Sequence, residues 1–391
     1  MISRQRLLFA SCFLLLAVSL SIGFHLARYK PLWNDEIYSQ IMLVDRSYGQ
    51  LIGFKIAEGN ITPLFYVIQK ALCDVFERRP MIEWRQIWDA ADPYSEIFLR
   101  IQPVLFMSLS AVAIFYFFTR FYGWALGVYS QVIFFSSYMV WAYFAEARPY
   151  ALWVFLTTLQ SLLFLRLFDS EKVDPRAWRR LSVVNVLLSL TVVLSAAQTW
   201  ICSLLLFWWK ERNWKAYLWM TLLPTAIAVI YGIFSPKYAV WFNLDPDQII
   251  RDSFPRERFY IVFIFVFFLL IDAALAKKQW PRLYPDGAVR KGIPYLVLTA
   301  LAVLVAIAML VVLKHEANPE HAGFPVVSRY FIFLAPVGVI ATTLFSWHIV
   351  RATRFLWLRF LFAGGLSYFV FLRIFKMWRD FKGLYPWMFH G

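Results

Sequence analysis

Cysteine and histidine are scarce in this chain, three and five among 391 residues. Cys12 and Cys202 fall inside apolar runs and only Cys73 lies in a segment that reads as external, so no disulfide framework is implied. His25, His315, His321, His348 and His390 show no His-x-x-x-His spacing, which argues against a protein zinc site. Charge is thin too, at 16% of residues, and acids are the rarer sign, 24 against 39 lysines and arginines. That is well below the charge of a soluble globular domain. Apolar residues fill the place: 61% of the chain is hydrophobic and 20% aromatic. They stand in repeated uncharged runs of about 20 residues, the length that crosses a bilayer as a helix. The chain therefore reads as an all-α, polytopic membrane protein. Its formal charge of +15 is then a matter of topology rather than of nucleic-acid binding.

The first run, Leu7 to Ala27, holds 21 uncharged residues. It is longer than a signal peptide's apolar core and lacks a small-residue cleavage site, so it is expected to stay as a span. Further spans are expected at about 98–118, 124–144, 149–168, 217–234, 258–275, 294–313, 329–348 and 355–372. The run 181–209 has 29 uncharged residues, about 43 Å as a straight helix, too long for one upright span. Both its flanks are basic, so a hairpin is expected, with Gln198 and Thr199 near its tip. This gives about eleven spans in one domain over 1–372, followed by a short basic external tail, 373–391. Segments on the inner side carry 18 lysines and arginines in 55 residues, against 17 in about 132 on the outer side. That asymmetry places the N-terminus inside and a long first loop, about 28–97, outside.

That loop opens with Pro31-Leu32-Trp33-Asn34-Asp35-Glu36-Ile37-Tyr38, two carboxylates directly after a span. Ile37, Ile41, Val44, Tyr48 and Leu51 follow at the spacing of an interfacial helix. Pro63 is expected in the first turn of a second interfacial or re-entrant helix over 62–76, and 77–97, with Trp84 and Trp88, suits the headgroup layer. Asp35 and Glu36 also suit a helix N-terminus, so capping accounts for them as readily as catalysis does. Arg100, Glu146, Arg148 and Arg329 are charges at span ends on the same expected side. Snorkelling or structural ion pairing explains any one of them, and Glu146 and Arg148 can pair with each other. Together with Asp35 they describe a polar pocket.

The series resembles the GT-C superfamily of polytopic glycosyltransferases, especially the branch around protein O-mannosyltransferases and aminoarabinose transferases. Trp33-Asn34-Asp35-Glu36-Ile37-Tyr38 is similar to the Asp-Glu motif of the first external loop, and Thr62-Pro63-Leu64-Phe65-Tyr66 to a Pro-Pro-Leu-Tyr segment with Thr for one proline. Phe98-Leu99-Arg100-Ile101-Gln102-Pro103 resembles an Arg-x-Pro-Ser start of the second span, displaced by one residue. Glu146-Ala147-Arg148-Pro149-Tyr150-Ala151-Leu152 resembles the Glu-Ala-Arg-Pro-Tyr-Ala-Leu motif, and Ser328-Arg329-Tyr330 with Pro336 a late Arg-Tyr…Pro span. Asn60-Ile61-Thr62 departs from the family, where many members carry a basic or histidine-bearing stretch. No large soluble C-terminal domain follows the spans in this sequence.

The resemblance implies a GT-C-like bundle in the cytoplasmic membrane, if bacterial, with an extracytoplasmic site. It also implies a polyprenyl-phosphate sugar as donor and a hydroxyl of a lipid, glycan or protein as acceptor. Phosphate leaves readily, so transfer needs one base rather than a pair of carboxylic acids. Asp35 is expected to be that base in an inverting transfer, with Glu36 supporting it. Arg329 and then Arg148 suit the departing phosphate, because a guanidinium binds such oxygens bidentately. Glu146, Tyr38, Tyr150, Tyr330 and Asn60 are expected to line the pocket. A divalent cation between Asp35 and Glu146 is compatible with these residues, though no ligand pattern demands one. A transporter or flippase of a lipid-linked saccharide would also want a polar membrane pocket, but no internal repeat supports it.

Overall fold

The computed structural model describes residues 4–30, 32, 34–44, 46–53, 61–77, 97–169, 174–210, 214–234, 287–317, 328–352 and 356–384. The expected span 258–275, the loop 235–257, Asn60, most of 77–97 and the last seven residues lie outside them. In chain order the helices are α1 (Arg4–Tyr29), α2 (Asn34–Val44), α3 (Tyr48–Ile52), α4 (Leu64–Val75), α5 (Ile101–Tyr122), α6 (Trp124–Phe135) and α7 (Tyr138–Phe144). There follow α8 (Tyr150–Asp169), α9 (Pro175–Ser189), α10 (Ser195–Trp209), α11 (Trp214–Phe234) and α12 (Gly287–Ala317). A 3-10 turn, Ser328–Phe331, leads into α13 (Leu334–Ala352), and α14 (Leu356–Leu384) closes the series.

Among the described residues six helices are long and apolar enough to cross a membrane: α1, α5, α8, α11, α12 and α14. Counting the bent pair α6 and α7 as one span makes seven. The protein is thus an all-α polytopic membrane protein. Of the other expected spans, 258–275 lies outside the described residues. The two arms of 181–209 and the span 329–348 fall short of that length, because hydropathy does not register where a helix breaks. The run 181–209 falls in two helices of 15 residues, the first beginning upstream at Pro175, each about 22 Å long. Their hairpin form agrees with expectation, but the tip is 190–194. Gln198 lies a turn below it, buried, with its amide on Thr157 Oγ1 and Gln160 Oε1, both at 3.2 Å. Gln160 in turn donates to Asn185 Oδ1 at 2.8 Å, which puts Asn185 and Gln198 level across the hairpin. The expected span 329–348 also starts late, because its first residues form the 3-10 turn.

Each break leaves backbone carbonyls that hydrocarbon does not satisfy, and each finds donors. At the hairpin tip, Thr62 N and Leu64 N donate to Thr191 O (3.2 Å) and Leu190 O (2.8 Å), and Thr62 Oγ1 donates to Ser189 O at 2.9 Å. The chain between α6 and α7 turns by 69°. There the Trp141 indole donates to Phe135 O at 2.5 Å and Arg373 Nη2 to Ser136 O at 2.8 Å. Arg373 therefore belongs inside α14 and is buried, correcting its placement in an external tail from 373.

The expected interfacial helix after Asp35 is two pieces. Ser47 caps α3 through a reciprocal bond with Gln50, which ends the apolar stripe before Tyr48. Tyr48 is exposed and bonds Asp74 of α4 at 2.6 Å. Pro63 caps α4, one residue before its expected place. At the bundle's centre α8 packs against α5, α9, α12 and α13. Its fully buried Trp153 stacks on Phe333 with centroids 5.5 Å apart. α1 fits against α5 and α7 at Gly23, where any Cβ would lie 2.5 Å from both Val104 and Phe144.

Candidate functional site

Three separate stretches converge at one end of the bundle: the first turn of α2, the Ala145–Pro149 loop between α7 and α8, and the 3-10 turn before α13. The α2 turn supplies Asp35 and Glu36, which suit a helix N-terminus electrostatically, while their side chains go to guanidinium groups. Arg329 Nη1 donates to Asp35 Oδ2, and Arg148 Nη2 lies 3.7 Å from the same oxygen. Arg148 Nη1 also donates to Asp35 O and Ser39 Oγ, both at 3.2 Å, tying the loop to the helix's first turn. The Arg148 guanidinium stands over the Tyr150 ring, 5.7 Å from its centroid.

Glu36 and Arg100 are both 0% exposed and form a two-pronged pair, Nε to Oε1 at 2.9 Å and Nη2 to Oε2 at 2.7 Å. Glu36 Oε1 also accepts from Ala147 N at 2.8 Å. Arg100 Nη1 reaches Ala27 O at 2.8 Å and Lys30 O, the carbonyls at the end of α1. This pair binds α1, α2, α5 and the Ala145–Pro149 loop together. Glu36 therefore faces structural partners, while Asp35 faces Arg148 and Arg329.

Glu146 pairs with Lys30, its Oε2 3.4 Å from Nζ, and Lys30 also donates to Ala142 O at 3.3 Å. Glu146 Oε1 is buried without a hydrogen-bond partner among the described residues. Burial pushes the Glu146 carboxyl up to about 7, with Lys30 opposing the shift and Glu36 adding to it. The cluster thus sets Lys30, Arg100, Arg148 and Arg329 against Asp35, Glu36 and Glu146. All but the partly exposed Lys30 are buried. Among the described residues positive charge is in excess, more so when Glu146 is protonated. A site of this kind suits an anionic group carrying several oxygens.

Of the residues expected in the pocket, Asp35, Glu36, Glu146, Arg148 and Arg329 come together, with Tyr150 beside Arg148 and Tyr330 adjoining Arg329 in the 3-10 turn. Tyr38 is on α2, but its side chain, like Asn60, is outside what is described. The cation site considered for Asp35 and Glu146 does not fit their neighbours, since ammonium and guanidinium groups already face them. No group of three or more metal-ligating acids, histidines and cysteines occurs among the described residues. Sequence reasoning missed Lys30, because a lysine just after a span reads as a snorkelling anchor. Arg100 stood out as a charge, but nothing local tied it to Glu36, 64 positions away. Compared with protein-family models and with curated protein sequences, the chain matches none.

Proposed function

We propose that this membrane protein is a glycosyltransferase of the GT-C kind, using a polyprenyl-phosphate sugar donor and acting on an acceptor hydroxyl at the outer face of the membrane. The observation that carries the reading is the buried cluster itself. One carboxylate, Asp35, is held by two arginines, and positive charge exceeds negative around it. In the reaction Asp35 takes the proton of the acceptor hydroxyl, whose oxygen attacks the anomeric carbon from the face opposite the phosphate. The bond from that carbon to the phosphate oxygen breaks, its electron pair stays on the phosphate, and the anomeric configuration inverts. Arg329 and Arg148 neutralise the charge gained by the departing phosphate. Donor binding draws Arg329 from Asp35 to the phosphate and leaves the carboxylate freer to accept a proton. Glu36 and Arg100 are positioning residues in this scheme.

The test uses purified full-length protein with radiolabelled polyprenyl-phosphate mannose and polyprenyl-phosphate aminoarabinose, given envelope lipid, glycan and protein extracts as acceptors. Release of polyprenyl phosphate coupled to labelled acceptor is the expected outcome. Movement of intact donor between leaflets of a vesicle, with no cleavage, would replace the enzyme by a transporter of lipid-linked saccharide.

A further inference from the structure

At the end of the bundle opposite Asp35 there is a second polar site that the transfer chemistry does not use. A cavity of about 270 Å³ opens between the start of α1, the end of α5 and the start of α6. It is lined by Arg4, Gln5, Leu8, Phe9, Tyr116, Thr119, Arg120 and Trp124. Arg4 and Arg120 are exposed, and among the described residues neither has a carboxylate partner. Thr119 is 3% exposed, and its hydroxyl, packed against Gly127, has no hydrogen-bond partner among the described residues. That is unusual for a helical threonine, which can bond a carbonyl one turn back. The cavity's other wall is aromatic: Phe9 stacks on Tyr116 with centroids 6.3 Å apart, and Trp124 stands against Phe115 at 5.9 Å.

We infer that this cavity binds the headgroup phosphate of an anionic phospholipid, with the acyl chains laid along α1. Two guanidinium groups offer forked donors to phosphate oxygens, Gln5 adds an amide, and Tyr116 and Trp124 suit the boundary between headgroup and hydrocarbon. The choice of a lipid over a soluble phosphate rests on the surface below the cavity. Phe9, Phe13 and Leu14 of α1 are all more than half exposed, in a helix long and apolar enough to span. An acyl chain covers that surface, and a free phosphate does not. The bound lipid joins α1 to α5 and α6 at this end, away from the Glu36 and Arg100 lock.

The test places full-length protein in nanodiscs of equimolar phosphatidylglycerol and phosphatidylcholine and reads the lipid retained on release by native mass spectrometry. The wild type retains phosphatidylglycerol preferentially. Arg4→Gln with Arg120→Gln lowers that preference on the order of thirtyfold, the value of two basic residues at a membrane surface. Arg6→Gln, two positions on but outside the cavity wall, lowers it by no more than about fivefold, the value of one basic residue near the surface. On the wild type alone, the preference falls as sodium chloride rises, because both arginines are exposed and screened. A double variant with unchanged preference, or a wild-type preference independent of salt, overturns the site. Displacement of the retained lipid by glycerol phosphate at matched concentration overturns the lipid as its occupant.

Discussion

Asp35 is held by Arg329 and Arg148, so a substitution there changes charge balance as well as basicity. Asp35→Asn is expected to lower transfer on the order of 10²–10⁴-fold, the usual cost of a lost general base. It also leaves two buried guanidiniums short of a counter-charge, so some stability is lost too. Donor binding, measured apart from turnover, separates the effects. Asp35→Asn is expected to keep binding the polyprenyl-phosphate sugar while transfer stays low; near-wild-type turnover would make Asp35 a counter-ion and nothing more. Glu146 carries a pH prediction. Its folded carboxyl titrates near 7 against about 4.3 for a free glutamate, so between these values the folded protein holds the extra proton. Stability therefore falls as pH rises through that window, and the full penalty applies above 7. Melting temperatures from about pH 5 to about pH 8 are expected to decline in the wild type and to flatten in Glu146→Gln. A decline of equal slope in the variant would assign it to other groups. Individual residues were legible where a charge interrupts an apolar run, as at Asp35, Glu146, Arg148 and Arg329. Pairings were not, because Glu36 meets Arg100 and Glu146 meets Lys30 only through tertiary structure.

Helices were legible by length and composition, and so was the hairpin within 181–209 from its excess length and basic flanks. The place of its tip and the bend after Phe135 were not. No glycine or proline marks 190–194 or Ser136-Ser137, since both breaks are held by donors from distant elements. The hairpin tip depends on the Thr62–Leu64 segment, whose neighbour Ile61 forms an isolated bridge with Val192. Thr62 is fully buried and its hydroxyl is the donor to Ser189 O. Thr62→Val keeps shape and backbone bonds but leaves that carbonyl without this donor, at a cost of about 1–3 kcal/mol. The expected result is a lower melting temperature, with faster proteolysis around 190–194 than elsewhere. Thr62→Ser, which keeps the hydroxyl, should stay close to wild type. Equal melting of the Val and wild-type proteins would show that the backbone bonds alone hold the tip. The same logic makes Arg373 a tie between α14 and the bend before α7 rather than a membrane-surface anchor.

For the molecule as a whole, the helix order puts Asp35, the Ala145–Pro149 loop, the hairpin tip and Arg329 at one end. The starts of α1, α9 and α11 and the ends of α5, α8 and α10 lie at the other. Basic residues gather at that second end, with Arg4, Arg6, Arg120, Arg166, Arg176, Arg179, Arg180 and Lys215 all near these termini. From the basic-residue rule we propose that this end faces the cytoplasm and the carboxylate cluster the outer side, the side that the proposed lipid-linked donor requires. The three native cysteines are all buried, so the protein offers little background to thiol labelling. Glu77 follows α4 and is exposed at the cluster's end, and Arg176 is exposed at the start of α9. With a membrane-impermeant maleimide on intact cells, Glu77→Cys is expected to label, and Arg176→Cys only after permeabilisation. The reverse pattern would turn the cluster inward, where nucleotide sugars are available, and would remove the argument for a polyprenyl-phosphate donor while leaving the cluster's geometry untouched.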